Sequence, residues 1–306
     1  MKDKNIFFDL DLCAIFVYQV SRLCLLIPVF YICTPVAPGN VVGDEKHPNI
    51  FVNYFLKKNK ILNFHAMIPA LKDYITEISS RLSSTSIEDS LLELTENFPG
   101  QVTFSTSFGF EDQVISHIIL SNNLPISIFT LDTGRLFPET YSVWNSTNQK
   151  YNTRIKAYYP DHSLLESFIA EKGPNSFYES VENRKGCCYI RKVDSLKRAL
   201  KNNAVWITGL RAEQSVNRHE MQQVEWDEGN QIIKYHPLLY WTTEEVKQYI
   251  SKHNIPYNPL HDKGFISIGC APCTRAIRPG EDFRAGRWWW EDNTKKECGL
   301  HEIKIA

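Results

Sequence analysis

The sequence predicts an α/β fold, a parallel sheet with helices on both faces, and three observations predict it. Short β-rich runs recur from residue 101 onward, segments of helical period lie between successive runs, and 43% of the 306 residues are hydrophobic, enough to bury a sizeable core. Strands separated by helices are joined by right-handed crossovers, which a parallel sheet accommodates. The formal net charge of −1 gives no global pull toward nucleic acid or a membrane surface, so any anion site must come from local cation placement.

The first 66 residues stand apart. From Cys13 to Val36 the chain is strongly apolar, but Gln19, Ser21 and Arg22 interrupt it, and Pro28 and Pro35 fall in its second half, which argues against a spanning helix. Lys2 and Lys4 before the run and Ala37-Pro38-Gly39 after it fit a secretory signal, but export would oxidise the thiols described below. The preferred expectation is an upstream-extended start. Met67 opens an amphipathic pattern (Ile68, Leu71, Tyr74, Ile75, Ile78, Leu82) of the kind that begins a domain. The expected division is therefore 1–66, an extension; 67–283, the main domain; and 284–306, a C-terminal arm.

Within the main domain, strands are expected at Gln101–Ser105, Ile126–Leu131, Arg154–Tyr158, Val205–Thr208 and Gln231–Tyr235. Helical period marks Glu111–Leu120, Glu139–Gln149, Ser163–Ala170, Val181–Leu200 and Thr243–Ile250. Around and beyond Phe265 the periodicity fades, and Gly264, Gly269, Gly280 and Gly286 make the tail loop-rich.

Polar motifs fall at the carboxyl ends of the strands, where such sheets bind ligands. The first strand runs into Ser105-Thr106-Ser107-Phe108-Gly109, a hydroxyl-rich turn opening a helix, which suits either an anion cradle or an ordinary capped turn. The lysine of a Walker A loop is missing. The second strand ends in Leu131-Asp132-Thr133-Gly134-Arg135, where Asp132 either accepts from a ribose hydroxyl or caps the turn. The fourth ends in Thr208-Gly209-Leu210-Arg211. Three such ends meeting at one crevice favour a nucleotide pocket over scattered surface polarity.

Cysteine placement is the other strong signal. Cys187-Cys188 and Cys270-Ala271-Pro272-Cys273 offer four thiolates from two distant segments, enough for tetrahedral zinc or an iron–sulfur cluster, and Cys298 remains as a spare thiol. Adjacent cysteines do not readily pair with each other, so disulfides are disfavoured. Successive side chains on a helix diverge by about 100°, so Cys187 and Cys188 reach one centre only with local strain or a helix start at Gly186. Arg184, Lys185, Arg191 and Lys192 surround the pair, able to offset thiolate charge and to hold an anion.

Taken in order, Ser105-Thr106-Ser107-Phe108-Gly109-x-Glu111-Asp112, Leu131-Asp132-Thr133-Gly134-Arg135, Gly186-Cys187-Cys188-x-x-Arg191-Lys192, Gly269-Cys270-x-Pro272-Cys273, Arg284-x-Gly286-Arg287-Trp288-Trp289-Trp290-Glu291 and Lys296-Glu297-Cys298-Gly299-Leu300-His301 resemble the assimilatory adenosine 5′-phosphosulfate reductases of the PAPS reductase family, over about 67–303. The resemblance implies a Rossmann-like sheet of the adenine nucleotide α-hydrolase type, related to PP-loop enzymes, and a [4Fe–4S] cluster on Cys187, Cys188, Cys270 and Cys273. It implies that Cys298 attacks the sulfate sulfur, expels AMP and becomes an S-sulfocysteine, from which a thioredoxin or glutaredoxin dithiol releases sulfite for cysteine biosynthesis. By the same resemblance Lys192, Arg284 and Arg287 contact phosphate and sulfate, Arg191 and Arg211 stand behind them, Ser105 and Ser107 line the phosphate side, and Asp132 the adenosine side.

The expected location is the cytoplasm, with the small nucleotide and a dithiol protein as partners, no nucleic acid or membrane, and room for a homo-oligomer. The apolar leader departs from the bacterial-type family pattern, and no thioredoxin-like domain follows Cys298. The rival readings are a reductase for the 3′-phosphorylated nucleotide, whose relatives usually lack the four cysteines, and a PP-loop tRNA-thiolation enzyme, opposed by the missing Ser-Gly-Gly loop. A non-enzymatic metal protein would not need the converging arginines or the tail thiol.

Overall fold

Residues 64–215, 218 and 220–291 are described by the computed structural model. They lie within the unit Asn49–Ala306. Two helices lead in: α1 (Phe64–Leu82) and α2 (Ile87–Asn97). The alternating part follows as β1 (Val102–Ser105), α3 (Phe110–Ser121), β2 (Ser127–Leu131), α4 (Pro138–Lys150), β3 (Lys156–Tyr158), α5 (His162–Lys172), α6 (Val181–Cys188), α7 (Asp194–Leu200), β4 (Val205–Ile207), β5 (Val224–Asp227), β6 (Ile232–Tyr235) and α8 (Thr243–Lys252).

The six strands form one sheet in the order β3-β2-β1-β4-β6-β5, parallel except for β5, which runs antiparallel to β6. The chain builds outward from β1 to β3, then crosses back to start again at β4 beside β1. The crevice beyond the carboxyl ends of β1 and β4 is thus the topological switch point, where a ligand is expected. Central β4 is buried throughout, as a parallel strand covered on both faces must be. One face packs on Ile78, Leu91, Leu94, Val114, Ile118, Val246 and Ile250 from α1, α2, α3 and α8. The other carries Phe129, Trp206 and Ile232 under Leu196, Ala199 and Leu200 of α7. At about 1.5–3 kcal/mol for each large apolar side chain removed from water, these faces hold the crossover helices in place.

The five expected strands and five helical segments are present with shifts of at most two residues at their ends, and two elements are added. Ser86 caps α2 by accepting from the Asp89 backbone N–H at 3.1 Å. β5 completes a hairpin with β6. The expected helix 181–200 starts at Val181, capped by Ser180, so Gly186 lies inside α6 rather than at its start. Its continuity is broken instead by a π-helical turn, Tyr189–Val193, directly after the cysteine pair. A π turn adds a residue and re-aims the side chains that follow, here Arg191 and Lys192. α1 begins at Phe64, ahead of Met67. No helix among the described residues is long and apolar enough to cross a membrane.

Candidate functional site

The switch-point crevice is a cleft of about 220 Å³. The ends of β1, β2 and β4 form its floor, with Ser105, Thr106, Ser107, Leu131, Thr208 and Gly209; Lys192, Arg218, Arg284 and Arg287 bring four cations to its walls. Glu111 and Asp112 line the same crevice, so its four cations outnumber its two acids in a chain of net charge −1, an excess that favours an anion.

The β1 turn is strained and tightly tied. Phe108 holds φ 60°, a left-handed conformation that a bulky residue rarely adopts, and its buried ring is fixed by stacking on Trp144 at 5.6 Å. Ser107 donates its hydroxyl at 2.7 Å and its backbone N–H at 2.6 Å to Asp112 Oδ2 in the first turn of α3. A Cβ at Gly209 would collide with Asp112 Oδ1, so only glycine lets β4 end this close to that carboxyl. Burial pushes the Asp112 carboxyl up to about 7, against the two Ser107 hydrogen bonds that favour its ionised form. Ser105 Oγ accepts from Trp206 Nε1 at 2.9 Å, which leaves its own hydrogen to donate into the cleft. Both serines thus line the cleft as expected, but the Ser107 hydrogen is already committed.

Three expected contacts lie elsewhere. Asp132 accepts from the Gly134 N–H at 2.8 Å and from Tyr141 OH at 2.9 Å, so it caps the β2 turn instead of facing the cleft. Arg211, only 1% exposed, is consumed by Glu111 at 2.8 Å, Glu213 at 2.6 Å, the Trp241 carbonyl and Thr243 Oγ1. Arg191 donates to the Thr133 carbonyl at 2.6 Å and lines a different cavity. Asp132 and Arg211 were placed by their positions at strand ends and Arg191 by its place beside the cysteine pair, and their hydrogen bonds hold all three off the cleft lining.

That second cavity, about 20 Å³, is lined by Cys187, Cys188, Cys270 and Cys273 together with Arg135, Arg184, Arg191 and Lys192. All four cysteines are free thiols. Phe177 and Trp288 pack against them, and Arg184, 1% exposed, closes the wall with a bidentate pair to Glu291 at 2.7 and 2.9 Å. Thr133 Oγ1 lies 3.3 Å from Cys270 Sγ. Burial, reinforced by Cys270 and Cys188, pushes the Cys273 thiol up to about 12; burial also raises Cys187. Metal binding must therefore displace these protons. Among the described residues no three Cys, His, Asp or Glu side chains are gathered for a single metal ion. Four thiols around one cavity, surrounded by cations, are a donor set that a zinc ion or a [4Fe–4S] cluster could use.

Lys192 lines both cavities. Lys192 and Arg287 both pull the Cys273 thiol down, so the cation-rich end of the cleft faces the cysteines. Arg287 spreads over the Trp288 ring at 4.8 Å, where Gly269 leaves room that a Cβ would fill. The sequence reading missed Arg218 and Gln214, joined at 2.6 Å in the loop after β4, because it stopped at Arg211. It also missed His261, which stacks on Phe110 at 3.9 Å and whose pKa burial lowers; nothing in its loop setting marked it. Cys298 lies outside the described residues.

Residues 101–276 match the phosphoadenosine phosphosulfate reductase domain. An adenosine 5′-phosphosulfate reductase of Burkholderia cepacia is 49% identical over 71% of this chain and 87% of its own. Another, from Allochromatium vinosum, is 51% identical over 67% of this chain and 80% of its own. Among solved structures, the phosphoadenylyl-sulfate reductase of Candida auris superposes with a TM-score of 0.57 at 28% identity, covering 67% of this chain and 97% of that one.

Proposed function

This chain belongs to the phosphoadenosine phosphosulfate reductase domain family, and from that premise we propose that it reduces adenosine 5′-phosphosulfate to sulfite and AMP. The observation that carries the proposal is Lys192, a cation shared between the nucleotide cleft and the four-cysteine cavity. A phosphosulfate group laid along the cation-rich wall has its bridging oxygen and terminal sulfate among Lys192, Arg284 and Arg287, with Arg218 as a further charge. The nucleoside then occupies the floor over the ends of β1, β2 and β4.

The Cys298 thiolate attacks the sulfate sulfur. An S–S bond forms, the S–O bond to the phosphate breaks, and AMP leaves with the electron pair. The cations stabilise the charge gathering on the departing phosphate. A dithiol protein of thioredoxin or glutaredoxin type then attacks the modified Cys298, sulfite departs, and the second thiol closes the donor's disulfide and frees Cys298. Cys187, Cys188, Cys270 and Cys273 would hold a [4Fe–4S] cluster whose contribution is structural and electrostatic. Arg184, Arg191 and Lys192 offset the charge of four thiolates there.

The test is sulfite release from adenosine 5′-phosphosulfate and from its 3′-phosphorylated counterpart, each with reduced thioredoxin. The expected result is sulfite from the first, with the second turned over at least about 10-fold less efficiently. Preference for the 3′-phosphorylated nucleotide would move the chain to the other activity of its family, and no sulfite from either would end the proposal.

A further inference from the structure

The exposed aromatic face beside the cysteine cavity has no role in the chemistry above. Tyr178 and Trp289 are 43% and 41% exposed, two of eleven exposed large apolar side chains among the described residues, and these two touch each other. They are held rather than loose: Tyr178 donates to the Pro272 carbonyl at 2.8 Å and packs edge-on against Trp290 at 4.5 Å. Trp289 meets Trp290 at 4.9 Å and Tyr178 at 6.3 Å, and buried Phe177 backs Tyr178 at 4.4 Å. Rigid, amphipathic tryptophan and tyrosine presented in this way lose little entropy on contact, which is why such residues dominate protein interfaces.

Where the partner must stand follows from the chain. Cys298 is seven residues beyond Glu291, at most about 24 Å of extended backbone. A protein that reaches the Cys298 sulfur presses a surface roughly 30 Å across against this molecule. The end of the described chain, with Trp289 two residues before it, therefore lies no more than about 24 Å of backbone from Cys298, within reach of a partner of that width engaged at the Cys298 sulfur.

We propose that the Tyr178–Trp289 face is the docking surface for the dithiol protein that releases sulfite from Cys298. The inference rests on the function proposed above. Partner and chemistry are separable: a small dithiol such as dithiothreitol performs the same thiol exchange without needing a surface.

The experiment compares reduced thioredoxin with dithiothreitol as donor for wild type, Trp289→Ala and Trp289→Phe, alongside iron content and AMP affinity. Trp289→Ala is expected to raise the KM for thioredoxin about 10- to 50-fold. Dithiothreitol-driven turnover, AMP affinity and iron content should stay at wild-type values, and Trp289→Phe should recover most of the loss. An unchanged thioredoxin KM overturns the inference, including the case in which Trp289→Ala alters only the oligomeric state. So does a parallel fall with both donors, which marks Trp289 as a support of the fold. Wild type that forms no sulfite with either donor overturns the functional reading and this inference together.

Discussion

Asp112 is a carboxylate whose burial carries a cost. Its carboxyl is buried at the mouth of β4, and burial raises it to about 7 from an ordinary value near 4. The folded state therefore keeps a proton that the unfolded chain gives up. That stabilisation is complete below about pH 4 and is lost as pH rises toward 7, up to about 4 kcal/mol in all. Asp112→Asn keeps an oxygen to accept from Ser107 and cannot ionise. Urea midpoints measured from pH 4 to 8 should fall less steeply for the variant than for wild type; parallel curves would show that Asp112 does not titrate in this window.

Two cations divide the remaining residue-scale roles. Arg211 holds Glu111, Glu213 and the start of α8, so Arg211→Ala strands a half-buried carboxylate and should destabilise the fold by about 3 kcal/mol or more. Lys192→Ala should leave the urea midpoint within about 0.5 kcal/mol and lower kcat/KM for the nucleotide about 10²- to 10³-fold. Denaturant titration beside sulfite kinetics separates the two, and a reversed pattern would contradict the site as drawn.

At the scale of elements, the strands were legible because β-branched and aromatic runs such as Val102–Ser105 and Val205–Ile207 stand between turn residues and feed directly into helical period. β5 was not: Val224-Glu225-Trp226-Asp227 alternates, but its acids are half-buried because Lys234 of β6 pairs with both and His236, just past β6, lies beside Glu225, a tertiary fact no local pattern carries. α2 hid behind the charges of Ile87-Glu88-Asp89, although Ser86 three residues before Asp89 is a capping signal. The π turn after Cys188 left no mark in the sequence, which pointed only to strain between two neighbouring thiols on one helix. α1 bears on the start of the chain. A chain truncated to begin at Met67 loses three residues of its first turn but keeps Leu71, Tyr74, Ile78 and Leu82, which the core buries. It should fold with an unchanged urea midpoint and full sulfite formation; loss of either would make the residues before Met67 structural.

Over the whole molecule, the fold brings two sequence-distant cysteine pairs and four cations to the same side of the sheet switch point, joined through Lys192. Cys187, Cys188, Cys270 and Cys273 were legible as a ligand set from residue type and spacing, whereas Lys192, Arg284 and Arg287 were named through the family resemblance that the ordered motifs carry. Asp132, Arg191 and Arg211 are held off the cleft lining by their hydrogen bonds, and sequence shows where along the chain a polar group stands, not which neighbour claims its hydrogen bonds.

The central claim is that Cys298 carries the sulfur it removes from the nucleotide. Mass spectrometry of the protein mixed with adenosine 5′-phosphosulfate, without a dithiol donor, tests it directly. One adduct of roughly 80 Da on the peptide containing Cys298, absent in Cys298→Ser and released by reduced thioredoxin, is the predicted result. An adduct on Cys270 or Cys273, or sulfite formation surviving in Cys298→Ser, would contradict it.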